Sequence, residues 1–265
     1  MYAFDYQRPA SVDAAVKATE GTDARYLAGG QSLVQAMKLR LSSAERLIDL
    51  GAIAALRAIS VSATHVTVGA MARHAEVAAS ADVRRAIPAL AELAGGIGDQ
   101  MVRNLGTMGG SLANADPAAC YPAAVLGLGA TIRTNKREIA GDDFFKDLYE
   151  TALQPGELIT AVSFPIPQRA AYVKYKQPAS RFALVGVMVS QLAQGVRVAV
   201  TGARACAFRV PELEKALSAS FSAGAAASVK LSPAGMNTDL HGTAEYRAAM
   251  VVVMAKRAVE AALAR

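Results

Sequence analysis

Ala28-Gly29-Gly30-Gln31-Ser32 is the stretch on which the fold turns. It follows an apolar run, Ala24 to Ala28, and opens a segment in which Leu33, Met37 and Leu41 recur at a spacing of four while Gln35, Lys38 and Ser42 point elsewhere. A strand, a glycine turn and a helix start are expected in that order. Glycines without Cβ let the main chain close on an anion, and the unpaired N–H groups of a helix's first turn add donors and a favourable dipole. A pyrophosphate suits such a turn.

Working outward, Thr107-Met108-Gly109-Gly110-Ser111 repeats the same glycine-glycine-serine core after Arg103-Asn104-Leu105-Gly106. It runs through Leu112-Ala113-Asn114-Ala115-Asp116-Pro117 into an apolar, helix-like stretch from Ala118 to Leu128. Two such turns, each flanked by Ser or Thr, are expected to clasp one diphosphate from both sides, which points to a dinucleotide. Either glycine pair alone is better read as a plain tight turn or helix cap; it is the repeat with Ser or Thr flanks that favours the phosphate reading. No G-x-G-x-x-G follows a strand and no G-x-x-x-x-G-K-[ST] occurs; Gly127-Leu128-Gly129 continues as Ala130-Thr131-Ile132. A Rossmann fold and a P-loop therefore fit poorly.

Composition narrows the class further. The chain has 265 residues, 53% of them hydrophobic, enough for a substantial core and for two domains. Its two cysteines, Cys120 and Cys206, lie far apart and provide neither a disulfide framework nor the ligands of an iron–sulfur cluster. His65, His74 and His241 are scattered without metal-ligand spacing, so no metal site is expected, and His74 is expected to cap or pack. No G-x-S-x-G appears, and no side chain is assigned a catalytic role. The net charge of +6 is spread along the chain and aromatic residues make up only 6%, which argues against nucleic acid and suits an acidic partner or a polyanionic cofactor. The N-terminus carries an early acid and no apolar core, and Lys256 stops the apolar run Ala248 to Ala255 well short of a membrane span; a cytoplasmic protein is expected.

Three regions emerge along the chain. A helix from Ser11 to about Glu20, the first glycine turn and the strand Leu47-Ile48-Asp49 form a βαβ-like lobe of about residues 1–55. A second lobe, about 56–167, starts with the alternating strand His65 to Val68, passes through a helix from Ile87 to Ala94 and closes with a strand from Glu157 to Phe164, ending at Pro165 and Pro167. Beyond these, residues 168–265 alternate in long segments, Ala171 to Gln177, Phe182 to Leu192 and Val196 to Phe208, with Gln194-Gly195 as a hairpin turn. Helices from Pro211 to Leu217 and Thr243 to Leu263 follow, the second presenting Ala244, Arg247, Val251, Met254, Ala258 and Ala262 on one face. The fold class is α+β: a two-lobed α/β domain followed by an antiparallel sheet with helices.

Further blocks join the two turns: Met37-Lys38-Leu39-Arg40, Leu47-Ile48-Asp49-Leu50, Val68-Gly69-Ala70-Met71-Ala72-Arg73-His74, Ile97-Gly98-Asp99, Val102-Arg103-Asn104, Asn114 to Ala119, and Pro155-Gly156-Glu157-Leu158-Ile159. In this order they resemble, nearly end to end, the FAD-binding medium subunits of the molybdenum hydroxylases, which include the aerobic carbon monoxide dehydrogenases and the flavin domain of xanthine dehydrogenase. The resemblance implies a two-lobed FAD domain of the PCMH/vanillyl-alcohol-oxidase type. Ala28, Gly29, Gly30, Gln31, Ser32, Leu33, Thr107, Gly109, Gly110, Ser111, Asn114 and Asp116 are then cofactor-binding residues. Ile159 would lie against the isoalloxazine, and Lys176 would approach its polar edge. A cation there would stabilise the anionic reduced flavin. The alternation of Lys174 and Lys176 with Val173 and Tyr175 also suits the solvent face of a strand.

The resemblance further implies a flavoprotein subunit of a molybdopterin-dependent oxidoreductase. It would receive electrons from [2Fe–2S] clusters of a small subunit, fed by a molybdenum cofactor in a large subunit, in paired heterotrimers. A free-standing flavin-dependent oxidoreductase and a structural subunit without FAD are the alternatives. The family commonly has an aspartate where this chain has Cys120. A thiol is a weak hydrogen-bond partner, so the exchange is expected to weaken FAD by about 1.5–3 kcal/mol, with Asp116 substituting in part.

Overall fold

Ser11 accepts a hydrogen bond from the Ala14 N–H and caps α1 (Val12–Lys17), which follows β1 (Asp5–Gln7). The first lobe continues through β2 (Ala24–Leu27), α2 (Leu33–Lys38) and β3 (Arg46–Asp49). Both outer strands run parallel to the central one, in the order β1-β3-β2. The computed structural model describes all 265 residues. Ala15, Ile48, Leu50 and Ile53 make the lobe's small core, to which the second lobe contributes Leu56, Met71 and Leu158. The spacing of Leu33, Met37 and Leu41 overstates α2. Arg40 adopts a left-handed φ of 61° and ends the helix, so Met37 is buried while Leu41 is 80% exposed.

The second lobe begins with β4 (Ile59–Val61) and β5 (His65–Gly69), then turns helical. Its helices are α3 (His74–Ala79), α4 (Ala81–Ala86), α5 (Pro88–Gly95), α6 (Gln100–Leu105), α7 (Met108–Asn114) and α8 (Tyr121–Gly127). Next come β6 (Thr131–Thr134), β7 (Glu138–Ala140), α9 (Gly141–Phe144), the short pair β8 (Phe145–Asp147) and β9 (Glu150–Thr151), and β10 (Ile159–Pro165). β10 returns between β5 and β6, antiparallel to both, in a sheet ordered β4-β5-β10-β6-β7. This return matters for the site. The Ala70 N–H donates to the Thr160 carbonyl at 2.9 Å, and the Gly109 N–H donates to the Ala70 carbonyl at 2.8 Å, so the end of β5 ties the start of β10 to the second glycine turn.

The last region is an antiparallel sheet, β11 (Arg169–Lys176), β12 (Ala183–Leu192), β13 (Gly195–Thr201) and β14 (Phe208–Arg209), with α10 (Pro211–Ala219), α11 (Ala223–Ala227) and the long α12 (Ala244–Leu263). Val185, Val187, Val189, Val198 and Val200 bury one face of the sheet against Leu213 and Leu217 of α10 and Val251, Met254 and Ala258 of α12. Met188 and Ala199, on the other face, join the larger core around α8. Sandwiching explains why β12 is apolar almost throughout. The alternating segment Val196 to Phe208 is not one strand. Gly202 takes a φ of 85°, where a side chain would be strained, and its N–H donates to the Pro117 carbonyl at 2.7 Å, so the chain leaves the ladder and rejoins it only at β14. No helix is long and apolar enough to cross a membrane.

Candidate functional site

Between the two lobes lies a cavity of ≈ 460 Å³, within the range of small-molecule and cofactor pockets. It gathers almost every residue that the sequence nominates. Ala28, Gly29, Gly30, Gln31, Ser32 and Leu33 line it from the first turn. Thr107, Gly109, Gly110, Ser111, Asn114 and Asp116 line it from the second turn and the helix that follows, and Ile159 lines it from the head of β10. Lys176 does not line it; it is exposed at the end of β11.

The two turns differ in what they offer. In the first, the main-chain N–H groups of Gly29, Gly30, Gln31, Ser32 and Leu33 have no acceptor within the protein. Gly30 is the residue that makes the turn, with a φ of 70° that favours glycine. Five consecutive donors on residues that border one cavity form a cradle for an anion. In the second turn the donors are spent. Met108 N–H donates to the Ala72 carbonyl at 3.0 Å, Gly109 N–H to the Ala70 carbonyl at 2.8 Å, and Gly110 N–H to the Thr107 hydroxyl at 3.2 Å. The two turns therefore do not offer an anion the same set of main-chain donors. One turn supplies amides; the other supplies a close-fitting wall and the side chains of Ser111 and Asn114.

The glycines answer to protein neighbours as much as to a ligand. A Cβ at Gly29 would lie 2.1 Å from the Leu105 carbonyl oxygen, and one at Gly109 would lie 2.6 Å from Ala70 Cβ. At Gly110 it would meet Thr107 Oγ1 at 2.8 Å and Ala28 Cβ at 3.3 Å. The two turns thus touch directly, and the absence of side chains lets them do so.

Charge around the cavity is mostly committed. Glu157 is buried, and its carboxylate accepts from Arg137 Nε and Nη2 at 3.0 and 3.1 Å, from Thr134 Oγ1 at 2.8 Å and from the Gln154 N–H at 2.8 Å. Burial pushes its pKa up, but these hydrogen bonds outweigh that and hold it at about 2. The Tyr26 hydroxyl donates to the Gly156 carbonyl at 3.0 Å, which fastens the first lobe to the same turn. Asp116 accepts from the Ala118 N–H at 2.8 Å. His74 is buried, and desolvation, helped by the positive charge of Arg103, holds its pKa near 4, so the ring is neutral at pH 7.

A dinucleotide cofactor is the ligand class such a cradle suits. The family described as "FAD binding domain in molybdopterin dehydrogenase" matches residues 2–167. The carbon monoxide dehydrogenase medium chain of Afipia carboxidovorans is 36% identical over 99% of this chain and 98% of its own. The chain belongs to the FAD-binding medium subunits of the molybdenum hydroxylases. Among solved structures, the reconstituted CO dehydrogenase from Oligotropha carboxidovorans superposes with a TM-score of 0.91 at 33% identity, covering 100% of this chain and 99% of that one. Quinoline 2-oxidoreductase from Pseudomonas putida 86 gives 0.88 at 31% identity, covering 98% and 97%. This medium subunit is therefore an oxidoreductase component with FAD as its cofactor, and its two-lobed α/β part followed by an antiparallel sheet with helices is the fold of those structures.

Three features of this medium subunit lay outside the sequence reading. Tyr26 and Glu157 border the cavity, yet only the return of β10 reveals their connection to it. His74 does pack, with its ring centroid 5.3 Å from that of Tyr121, but it also lines the cavity. Lys174 is half-buried rather than on a solvent face, and its ammonium reaches Cys120.

Proposed function

We propose that this chain is the electron-transfer subunit of a molybdenum-cofactor hydroxylase. It passes electrons that originate at a molybdenum cofactor in a large partner, and travel through [2Fe–2S] clusters of a small partner, to a terminal acceptor. When bound, FAD supplies chemistry in one-electron or two-electron steps, which suits a junction between clusters and a two-electron acceptor. The chain's own work is to bind and orient it. The amides of Gly29 to Leu33 receive the diphosphate, and Ala28 and Gly110 close the two turns around it. Thr107, Gly109, Ser111, Asn114 and Asp116 form the facing wall, and Ile159 backs the isoalloxazine. Lys176, exposed at the end of β11, approaches the ring's polar edge. Residues 1–167 make up the FAD domain and 168–265 the sheet-and-helix domain beside it.

The observation that carries this reading is the run of five uncommitted amides on residues that line one cavity, in a chain that matches medium subunits over nearly its whole length. Selection of the oxidised substrate lies with the large partner, because relatives named for carbon monoxide and for quinoline match this chain about equally, at 33% and 31% identity. The assembly we propose is a pair of heterotrimers. Mild purification from the native host tests both points in one preparation. Flavin absorbance together with iron–sulfur and molybdenum-cofactor proteins is the expected result. Flavin on a solitary, active chain would overturn the relay, and a colourless chain would overturn the cofactor assignment.

A further inference from the structure

His74 opens α3 directly beside the second glycine turn. Its main-chain N–H donates to the Gly106 carbonyl at 3.0 Å, and the tilted contact with Tyr121 fixes its ring in the cavity wall. The two ring nitrogens have different surroundings. Nδ1 is fully enclosed and has no hydrogen-bond partner, whereas Nε2 is not enclosed. Nε2 lies against Gly106, so closely that a Cβ there would come within 2.6 Å of it. Gly106 in turn abuts Gly29, whose own Cβ would lie 2.8 Å from the Gly106 Cα. Gly106 thus links the open nitrogen of His74 to Gly29, the residue that carries the first of the uncommitted amides.

A neutral imidazole carries one N–H and one lone pair. With Nδ1 sealed from every acceptor, we assign the proton to Nε2, the nitrogen that reaches the cavity, since a buried N–H without an acceptor costs its full desolvation. The cavity wall also lacks lysine. Arg25 is its one side-chain cation, and that residue is exposed and lies 3.8 Å from Asp23. A diphosphate held here must be met by main-chain and side-chain N–H dipoles rather than by ammonium groups.

We propose that His74 is a cofactor-positioning residue whose Nε2–H donates to an oxygen of the FAD diphosphate at the Gly29 end of the first turn. The proposal rests on the FAD reading above. It gives the second turn a polar contribution that its own amides, already spent on Ala70, Ala72 and Thr107, do not make.

The test compares two variants of similar size, His74→Gln, which keeps an amide N–H near the place of Nε2, and His74→Met, which has none. The full-length chain, stripped of flavin, is titrated with FAD, ADP and riboflavin, and thermal melting of each variant confirms that folded protein is being compared. His74→Met is expected to bind FAD and ADP about tenfold more weakly than wild type. His74→Gln is expected within about threefold of wild type, and riboflavin, which has no phosphate, is expected to bind all three alike. Equal FAD affinity in His74→Met and His74→Gln would overturn the proposal, as would a matching loss for riboflavin. Should wild type itself bind no FAD, the failure would be that of the broader reading, which separates the two.

Discussion

The ammonium nitrogen of Lys174, on β11, lies 3.3 Å from the sulfur of Cys120 at the head of α8. Tyr172, two residues earlier on the same strand, faces the same thiol; burial, and then Cys120 itself, raise its phenol well above its ordinary pKa. Cys120 does not line the cavity, although Ala119 beside it does. The expectation that this cysteine weakens the cofactor site is replaced by a different one.

Cys120→Asp should leave FAD affinity within about twofold of wild type, because a carboxylate there meets Lys174 before it meets any ligand. Fluorescence titration of the two proteins decides the matter. A tenfold tightening would show that position 120 reaches the ribose after all.

Gly29→Ala should lower stability by about 2 kcal/mol and weaken FAD at the same time, since its Cβ collides with the main-chain carbonyl of Leu105 and forces the two turns apart. Gly224→Ala is the matched control. It sits in α11 with open space around it and should raise stability by about 0.5 kcal/mol with no change in FAD binding. Thermal melts and titrations on both variants are the measurement.

The Glu157–Arg137 pair makes stability depend on pH in a stated direction. The folded pKa of Glu157, about 2, lies below its ordinary 4.5, so its contribution is complete above pH 4.5 and is lost as pH falls towards 2. Glu157→Gln should cost about 2 kcal/mol at pH 7, tempered by the exposure of Arg137, and the gap to wild type should narrow between pH 5 and pH 3. Urea unfolding at several pH values gives the gap directly; a constant gap would mean that Glu157 acts through packing alone.

Arg247 staples the C-terminal sheet to α12. Buried at 3% exposure, it donates to the Leu184 and Gly202 carbonyls and to both carboxylate oxygens of Asp239, each at 2.7 Å. Arg247→Met leaves those acceptors bare and should destabilise the protein by about 3 kcal/mol, while Arg247→Lys should recover only part because an ammonium lacks the guanidinium fork. FAD affinity of the folded protein should not move, a point that calorimetry and titration check together.

Much of this molecule was legible in its sequence because the informative features were local. A glycine pair after a strand, the helix that starts near Ser11 and the helical face from Ala244 to Ala262 are all written in residues a few positions apart. What escaped was long-range. Nothing near Gly109 announces that Ala70 and Ala72 will consume the amides of its turn, and nothing near Lys174 announces Cys120. The early end of α2 was misread because hydrophobic spacing carried on past Arg40, where the backbone had already turned. Lys176 rests on the resemblance alone, and no local pattern distinguishes it from the solvent face of β11, at whose end it is exposed.

The five consecutive main-chain N–H groups of Gly29 to Leu33, for which the protein itself provides no acceptor, make native-state stability responsive to an anionic ligand. A ligand that satisfies them and binds only the native state stabilises it in proportion to the logarithm of its free concentration once that exceeds the dissociation constant. The stability of this subunit is therefore set by the ligand concentration around it as well as by its own contacts.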